Sequence, residues 1–177
     1  ETNHGVLVNQ NLQTNIQHIY AIGDCAEQRN PTGNRPPIEA VWYTGRMMGE
    51  TLAQSLTGNP SSYKPGNWFN SAKFFDVEYQ TYGWVFPKPK KGHSDFYWKA
   101  TNENKCIHMH FETESRKFTG INTFGIRMRH EKFDAWLNEE KSIDYVIEHL
   151  KEANFDPEFF KKYENEIFDV YKKKLLN

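Results

Sequence analysis

His18-Ile-Tyr-Ala-Ile-Gly-Asp-Cys-Ala-Glu27 is the stretch from which the rest of the chain can be interpreted. Its apolar run at positions 20–22 predicts the end of a short buried parallel strand, because such strands are short apolar runs bounded by turn residues. Gly23 and Asp24 then form a break where the backbone can approach a ligand and a carboxylate can reach it. We expect a ligand-facing strand end here, although many Gly-Asp pairs are ordinary strand-to-loop turns.

The residues upstream extend this pattern. Residues 5–8 predict another strand, and Thr14 is expected to tie the turn that precedes Ile19. The whole segment reads Gly-x-Leu-Val-(x)5-Thr-(x)4-Ile-Tyr-Ala-x-Gly-Asp. It resembles the second flavin-binding motif of the FAD-dependent pyridine nucleotide-disulfide oxidoreductase superfamily. The resemblance implies that Asp24 accepts hydrogen bonds from the ribityl hydroxyls of FAD, a task that suits an acceptor-only carboxylate.

The segment after the motif predicts a helix. Pro37 suits a first helical turn, apolar residues recur every three or four positions, and Gly58 is placed to end the helix. Gly45 and Gly49 lie on the apolar stripe, which indicates a close approach to a sheet beneath the helix. Packing alone explains that stripe, so periodicity by itself gives no support to flavin binding.

A second resemblance lies at the start of this predicted helix. Glu39-Ala40-Val41-(x)3-Gly45 is similar to the Gln-Ala-Val-x-x-x-Gly helix start of thioredoxin reductases and their relatives. The resemblance implies that Glu39, Ala40 and Val41, with their backbone amides, meet the flavin ring. Unpaired amides at a helix start favour negative charge on the reduced ring. Glu39 stands where glutamine is common, so we expect its contribution to come from the backbone.

Composition excludes several classes of function. The formal net charge is −1, which gives no basis for binding nucleic acid or an anionic membrane surface. No apolar run approaches the roughly 18 residues of a membrane span, and no signal peptide precedes the first strand. We therefore expect neither nucleic acid nor membrane as a partner, and a cytoplasmic location.

Cysteine and histidine give weaker signals. Cys25 and Cys106 form no Cys-x-x-Cys motif, and Cys25 is interpreted as a small buried thiol in preference to a redox group. The resemblance implies that a redox-active cysteine pair would lie upstream. His108 and His110 share one face of a predicted strand, where a solvated or partner-facing pair is favoured over a metal site. No metal site is predicted.

The part of the chain after residue 58 predicts a different architecture. Residues 59–70 are interpreted as a linker, since proline, glycine and serine cluster there. An antiparallel sheet and then helices are expected beyond it. The strands are predicted at residues 73–79, 82–86, 95–100, 105–112 and 117–128, and the helices at residues 131–138, at 143–153 after the cap Ser142, and from 156 onward. Seven aromatic residues between positions 68 and 84 predict a core, or else a partner surface.

The predicted fold class is therefore α+β. Residues 1–58 are interpreted as the C-terminal part of an α/β FAD-binding domain and residues 71–177 as an interface-type domain, which the resemblance implies forms a homodimer. No Gly-x-Gly-x-x-Gly phosphate loop is present and the first residue is not Met. We interpret the chain as a C-terminal fragment that lacks an N-terminal FAD- and NAD(P)H-binding region and is inactive alone.

The resulting functional prediction is part of an NAD(P)H-dependent flavin oxidoreductase, with FAD as cofactor. The motif looks closest to the rubredoxin, ferredoxin and nitrite reductase-like branch, whose members pass electrons to a redox partner, and the electron acceptor stays unassigned. The predicted cofactor-binding residues are Gly23, Asp24, Glu39, Ala40 and Val41, and no catalytic residue is assigned. The alternative is a non-catalytic interaction or dimerisation module that keeps the fold without binding flavin.

Overall fold

The computed structural model describes residues 1–155 and 161–176. The helix start predicted at position 156 lies outside the described residues. The helices and strands are, in chain order, β1 (Val6–Val8), β2 (Ala26–Gln28), α1 (Trp42–Leu56), β3 (Phe69–Phe74), β4 (Val77–Gly83), β5 (His93–Lys99), β6 (Cys106–Glu112), β7 (Phe118–Phe124), α2 (His130–Asn138), α3 (Ile143–Glu148) and α4 (Glu164–Leu175). The predicted α+β class is confirmed.

The chain forms two compact units, Glu1–Gly66 and Asn67–Asn177. Within the segment interpreted as a linker, Tyr63 is buried in the first unit and its amide donates to the carbonyl of Gln10 at 2.7 Å. The assignment of the units to an FAD-binding and an interface domain stays a prediction. Over the described ranges, no helix has the length and apolar character needed to cross a bilayer.

The first unit is built on two short parallel strands, β1 and β2, with Val6 opposite Ala26 and Val8 opposite Gln28. The strand predicted at positions 20–22 is wrong. Tyr20 makes only an isolated bridge to Gln13, and the strand beside β1 instead follows the Gly-Asp break. The physical reason is local: the Thr14 amide donates to the Ile19 carbonyl at 2.9 Å, so this part of the chain pairs with itself.

The pairing strand β2 is polar and nevertheless buried. Its Glu27 carboxylate accepts hydrogen bonds at 2.9 Å from the Asn3 side chain and from the amides of His4 and Gly5. The Asn3 bond, followed by the Gly5 amide, lowers the pKa of Glu27. These partners lie more than 20 residues away in sequence. Their hydrogen bonds allow the Glu27 carboxylate to be buried, so a strand forms in a segment that has no apolar pattern to predict it.

The helix α1 begins five residues later than predicted. Val41, its N-cap, is extended (φ −136°, ψ 135°), and the Pro37 carbonyl accepts from the Gln28 amide at 2.8 Å. That bond ties the segment before the helix to β2, so Pro37 cannot open a helical turn. The predicted end is confirmed: the helix stops at Leu56, and Gly58 has the positive φ (95°) typical of a residue that closes a helix.

The second unit is a five-stranded antiparallel sheet with the order β3-β4-β7-β6-β5, packed against helices. Its core joins alternate residues of the strands to the apolar faces of α2, α3 and α4. The most buried members include Ile107, Met109, Ile121, Phe133 and Ile167. The predicted antiparallel sheet followed by helices is confirmed.

Three predicted strands have clearly wrong bounds, and the one predicted at residues 117–128 already ends at Phe124. The strand predicted at residues 73–79 is split by a turn, where Phe75 has a positive φ (51°) and is 97% exposed. The strand predicted at residues 82–86 is also wrong, because β4 ends at Gly83, whose φ is +67° and whose position leaves no room for a Cβ against the Thr119 carbonyl. The core explanation of the aromatic residues therefore fails for Phe74 and Phe75, which are both exposed, and holds for Tyr82.

The predicted helices of the second unit agree more closely with the observed ones. α2 begins one residue before its predicted start, and Ser142 caps α3 by accepting a hydrogen bond from the Tyr145 amide. α3 ends at Glu148, earlier than predicted, and a 3-10 turn (Leu150–Ala153) continues it. On α4, Ile167 and Tyr171 are buried.

Candidate functional site

Asp24 lies in a 3-10 turn, Gly23–Cys25, directly before β2. The side chain is exposed, and its carboxylate accepts no hydrogen bond from the residues that the structure describes. Gly23 precedes it with φ +72°, a backbone conformation that residues with a Cβ rarely adopt. The glycine thus turns the chain so that a carboxylate with free acceptor capacity stands on the surface.

The first two turns of α1 hold this 3-10 turn in place. A Cβ on Gly45 would lie 3.5 Å from the Cα of Gly23, and a Cβ on Gly49 would lie 3.9 Å from the Ile22 side chain. The Gly23 amide also donates to the Met48 sulfur at 3.3 Å. The two helix glycines therefore face the Gly-Asp break, and the prediction that they face a sheet is wrong.

The segment that enters α1 carries free backbone donors. Val41 has no side-chain cap, and the first amide bonded in the helical pattern is that of Gly45, which donates to the Val41 carbonyl at 3.1 Å. Ala40 and Trp42 are exposed, and their amides have no acceptor among the described residues. The Val41 amide is already used, since it donates to the Glu39 carbonyl at 2.9 Å. Two unused donors therefore lie at the start of the helix.

Sequence reasoning missed Trp42 as a member of this group. The resemblance to the thioredoxin reductase helix start assigned the leading amides to positions 39–41, and Pro37 was expected in the first helical turn. The extended Val41 moves the helix start to Trp42. A β-branched residue before the first long helical run is a weak signal of an N-cap, and it would not have been decisive.

The side chain of Glu39 faces the interior of the unit. Its two carboxylate oxygens accept from one nitrogen of Arg35 at 2.9 and 2.8 Å, and the Thr44 hydroxyl donates to it at 3.2 Å. The side chains of Glu39 and Arg35 are only 5% and 7% exposed. Arg35 also donates to the carbonyls of Pro65 and Gly66. The Glu39 carboxylate is therefore fully occupied within the protein.

A small cavity of about 10 Å³ lies beside this ion pair, lined by Gln28, Glu39, Met48 and Tyr63 among others. Its size corresponds to roughly one water molecule. Burial, followed by the charge of Glu39, raises the pKa of Tyr63 to about 12. This interior is closed to a cofactor, so the exposed side with Asp24, Ala40 and Trp42 is the candidate cofactor-binding surface.

No protein-family model matches the sequence. The chain is 35% identical over 82 residues to the ferredoxin reductase subunit of 5,5'-dehydrodivanillate O-demethylase from Sphingobium sp., a match that covers 45% of this chain and 19% of that protein. It is 30% identical over 122 residues to coenzyme A disulfide reductase from Staphylococcus epidermidis, covering 62% of this chain and 27% of that protein.

The fold is also similar to that of a solved structure. The structure of an FAD-dependent pyridine nucleotide-disulphide oxidoreductase from Desulfovibrio vulgaris superposes with a TM-score of 0.64 at 14% identity, and covers 97% of this chain and 43% of that one. The chain is thus similar in sequence to a ferredoxin reductase subunit and to a coenzyme A disulfide reductase, and similar in fold to an FAD-dependent pyridine nucleotide-disulphide oxidoreductase. The chain spans about a fifth to a quarter of the length of these two curated relatives.

The environment of Cys25 differs from the predicted one. The thiol is exposed, and its sulfur lies 3.5 Å from the Ile22 carbonyl. The interpretation as a buried thiol is wrong, because the 3-10 turn places Cys25 on the surface and leaves the buried position to Ala26.

His108 and His110 share one face of β6, as predicted, with ring centroids 4.8 Å apart. The expectation of a solvated pair is wrong for His110, which is 1% exposed, whereas His108 contacts the Asp95 carboxylate at 2.8 Å. Burial, followed by the charge of His108, lowers the pKa of His110. Among the described residues, no three His, Cys, Asp or Glu side chains are grouped to hold a metal ion.

Proposed function

We propose that the chain supplies the ribityl- and isoalloxazine-facing part of an FAD site in an NAD(P)H-dependent flavin oxidoreductase. The single observation that carries the proposal is the geometry around Asp24. An exposed carboxylate with free acceptor capacity stands on a glycine turn, and that turn packs on the first two turns of α1. A surface carboxylate needs no such support for folding, whereas a ligand group needs a fixed position.

The described residues fit the two parts of the flavin differently. Asp24 can accept bonds from two hydroxyls of the ribityl chain, and the free amides of Ala40 and Trp42 can donate to the carbonyl oxygens or nitrogens of the ring. The carboxylate of Glu39 does not fit such a role, since it is buried against Arg35. Val41 contributes through its extended backbone, which sets the helix start.

When bound, FAD supplies the redox chemistry, taking a hydride from NAD(P)H and passing electrons to an acceptor. The residues of this chain orient the flavin and provide donors where negative charge develops on reduction. A redox protein is one candidate acceptor, because one relative is named a ferredoxin reductase subunit. A homodimer formed through the second unit, and a cytoplasmic location, are part of the same proposal.

The test uses the protein expressed from its complete natural reading frame. Its visible spectrum should contain flavin bands, and FAD titration of the apoprotein should give a measurable Kd. Asp24→Ala removes charge-assisted hydrogen bonds and should weaken FAD binding by about tenfold or more. Glu50→Ala, an exposed carboxylate on α1, is the control and should leave the Kd unchanged. Equal Kd values for the two variants would refute the role of Asp24.

A second candidate is a non-catalytic interaction module. The turn between β3 and β4 favours it, because Phe74 and Phe75 are 64% and 97% exposed and Val77 beside them is also exposed. Exposed aromatic residues close together are typical of binding surfaces. A complete protein without flavin bands, which also binds no added FAD, would favour this candidate over the enzyme.

A further inference from the structure

The ion pair between Arg35 and Glu39 lies directly beside the backbone that we assign to the flavin. Both side chains are almost completely buried, and the pair is four residues apart in an irregular segment, where no helix imposes the contact. Burying two charges carries a large desolvation penalty, so an apolar pair of the same volume would stabilise the unit as well or better. The pair therefore needs an explanation other than stability.

The pair connects three separate parts of the first unit. Arg35 donates to the carbonyls of Pro65 and Gly66 at 3.0 and 3.2 Å, and the Thr44 hydroxyl on α1 donates to the Glu39 carboxylate at 3.2 Å. The segment before the helix, the helix itself and residues 65–66 are thus fixed through one carboxylate. Movement of any of the three would break a buried charged contact.

The buried position of Glu39 determines the orientation of the backbone of the residues that follow it. Glu39 is buried while its neighbour Ala40 is exposed. The Val41 amide donates back to the Glu39 carbonyl at 2.9 Å, which makes a tight turn just before Trp42. The orientation of the free amides of Ala40 and Trp42 therefore depends on the position of Glu39.

We infer that Arg35 and Glu39 are positioning residues, which hold the backbone from Ala40 to Trp42 in the orientation that meets the flavin ring. This inference rests on the proposed function. The pair does not contact the flavin. It acts by drawing Glu39 inward, and the amides on either side of Val41 are thereby presented outward.

The experiment compares two double variants of the complete protein. R35M/E39M replaces the buried pair with apolar side chains of similar volume, and R127M/E78M removes a bidentate Arg–Glu pair of the second unit, whose bonds are 2.9 and 2.7 Å. Three quantities are measured: the FAD Kd, the flavin midpoint potential and the amide exchange rates of Ala40 and Trp42 without FAD.

R35M/E39M should weaken FAD binding by about tenfold, the equivalent of one lost hydrogen bond. It should also shift the midpoint potential and speed amide exchange at Ala40 and Trp42, while R127M/E78M should change none of the three. A merely structural pair would alter the thermal midpoint without moving the potential. The milder variant T44V removes only the Thr44 hydrogen bond and should shift the potential in the same direction, so it carries the test if R35M/E39M does not fold.

Two outcomes would overturn the inference, and they are distinguishable. Equal Kd values, potentials and exchange rates in R35M/E39M and the unmodified protein would overturn the role of the pair and leave the flavin proposal intact. Failure of the unmodified complete protein to bind FAD would overturn both.

Discussion

Replacing Glu39 with glutamine should destabilise the first unit by about 3 kcal/mol, at the lower end of the 3–5 kcal/mol typical of breaking a buried ion pair. The glutamine keeps one oxygen for Arg35 but places an NH₂ group where the second oxygen accepts from Arg35 and Thr44. The guanidinium then remains buried without a counter-charge. It retains its bonds to the carbonyls of Pro65 and Gly66, which is why we expect the lower value.

Glu50→Gln is the matched control for this change. Arg46 and Glu50 have the same four-residue spacing and the same 2.8 Å contact, but their side chains are 60% and 61% exposed. An exposed pair of this kind contributes about 0.5 kcal/mol or less. The comparison therefore isolates the effect of burial.

The assay must report on the first unit alone. Trp42 is the only tryptophan in residues 1–66, so 5-fluorotryptophan labelling gives that unit a ¹⁹F resonance of its own. Urea titration followed at this resonance gives the free energy of unfolding from the midpoint and slope. If Glu39→Gln is no more destabilising than Glu50→Gln, the Glu39 carboxylate is not held in the interior and the reasoning is refuted.

Three further predictions follow from individual contacts. Gly120→Ala should destabilise the second unit by about 1–3 kcal/mol, since its Cβ would lie 2.5 Å from the Trp84 nitrogen; an unchanged thermal midpoint would contradict this. Gly45→Ala has room, with its nearest neighbour at 3.5 Å, and should stabilise α1 by up to about 1 kcal/mol, so a lower midpoint would contradict the packing. The pKa of His110 is lowered from 6.5 by burial and then by His108, so the folded state binds its proton less readily than the unfolded state and stability falls as the pH drops below 6.5. His110→Leu should flatten that part of the pH profile, and equal profiles from urea titrations would show that His110 does not cause it.

The sequence predicted those features that depend on neighbouring residues. Thr14 ties its turn by accepting from the Ile16 amide at 3.1 Å, Gly58 closes α1, and Ser142 caps α3. Each of these rests on one side chain or one φ angle within a few residues. The antiparallel sheet was predictable for a similar reason, because strand alternation and turn residues are local patterns.

The errors have non-local causes. β2 is a strand because Glu27 meets partners at positions 3–5, and α1 begins late because Pro37 is bonded to Gln28. The spacing of apolar residues along the sequence predicts neither of these two contacts. At the candidate site, Gly23 and Asp24 were predicted from their motif, and their role stays a prediction. The inward direction of the Glu39 side chain depends on Arg35 and on the Pro65 carbonyl, 26 residues further along the chain than Glu39.

The most direct test of the account is a crystal structure of the complete protein with FAD bound. We predict that a carboxylate oxygen of Asp24 lies about 2.5–3.0 Å from a ribityl hydroxyl oxygen, the range of a hydrogen bond, and that the amides of Ala40 and Trp42 face the isoalloxazine ring. A flavin bound elsewhere, with the Asp24 carboxylate out of hydrogen-bond reach of any of its atoms, would contradict the proposed site.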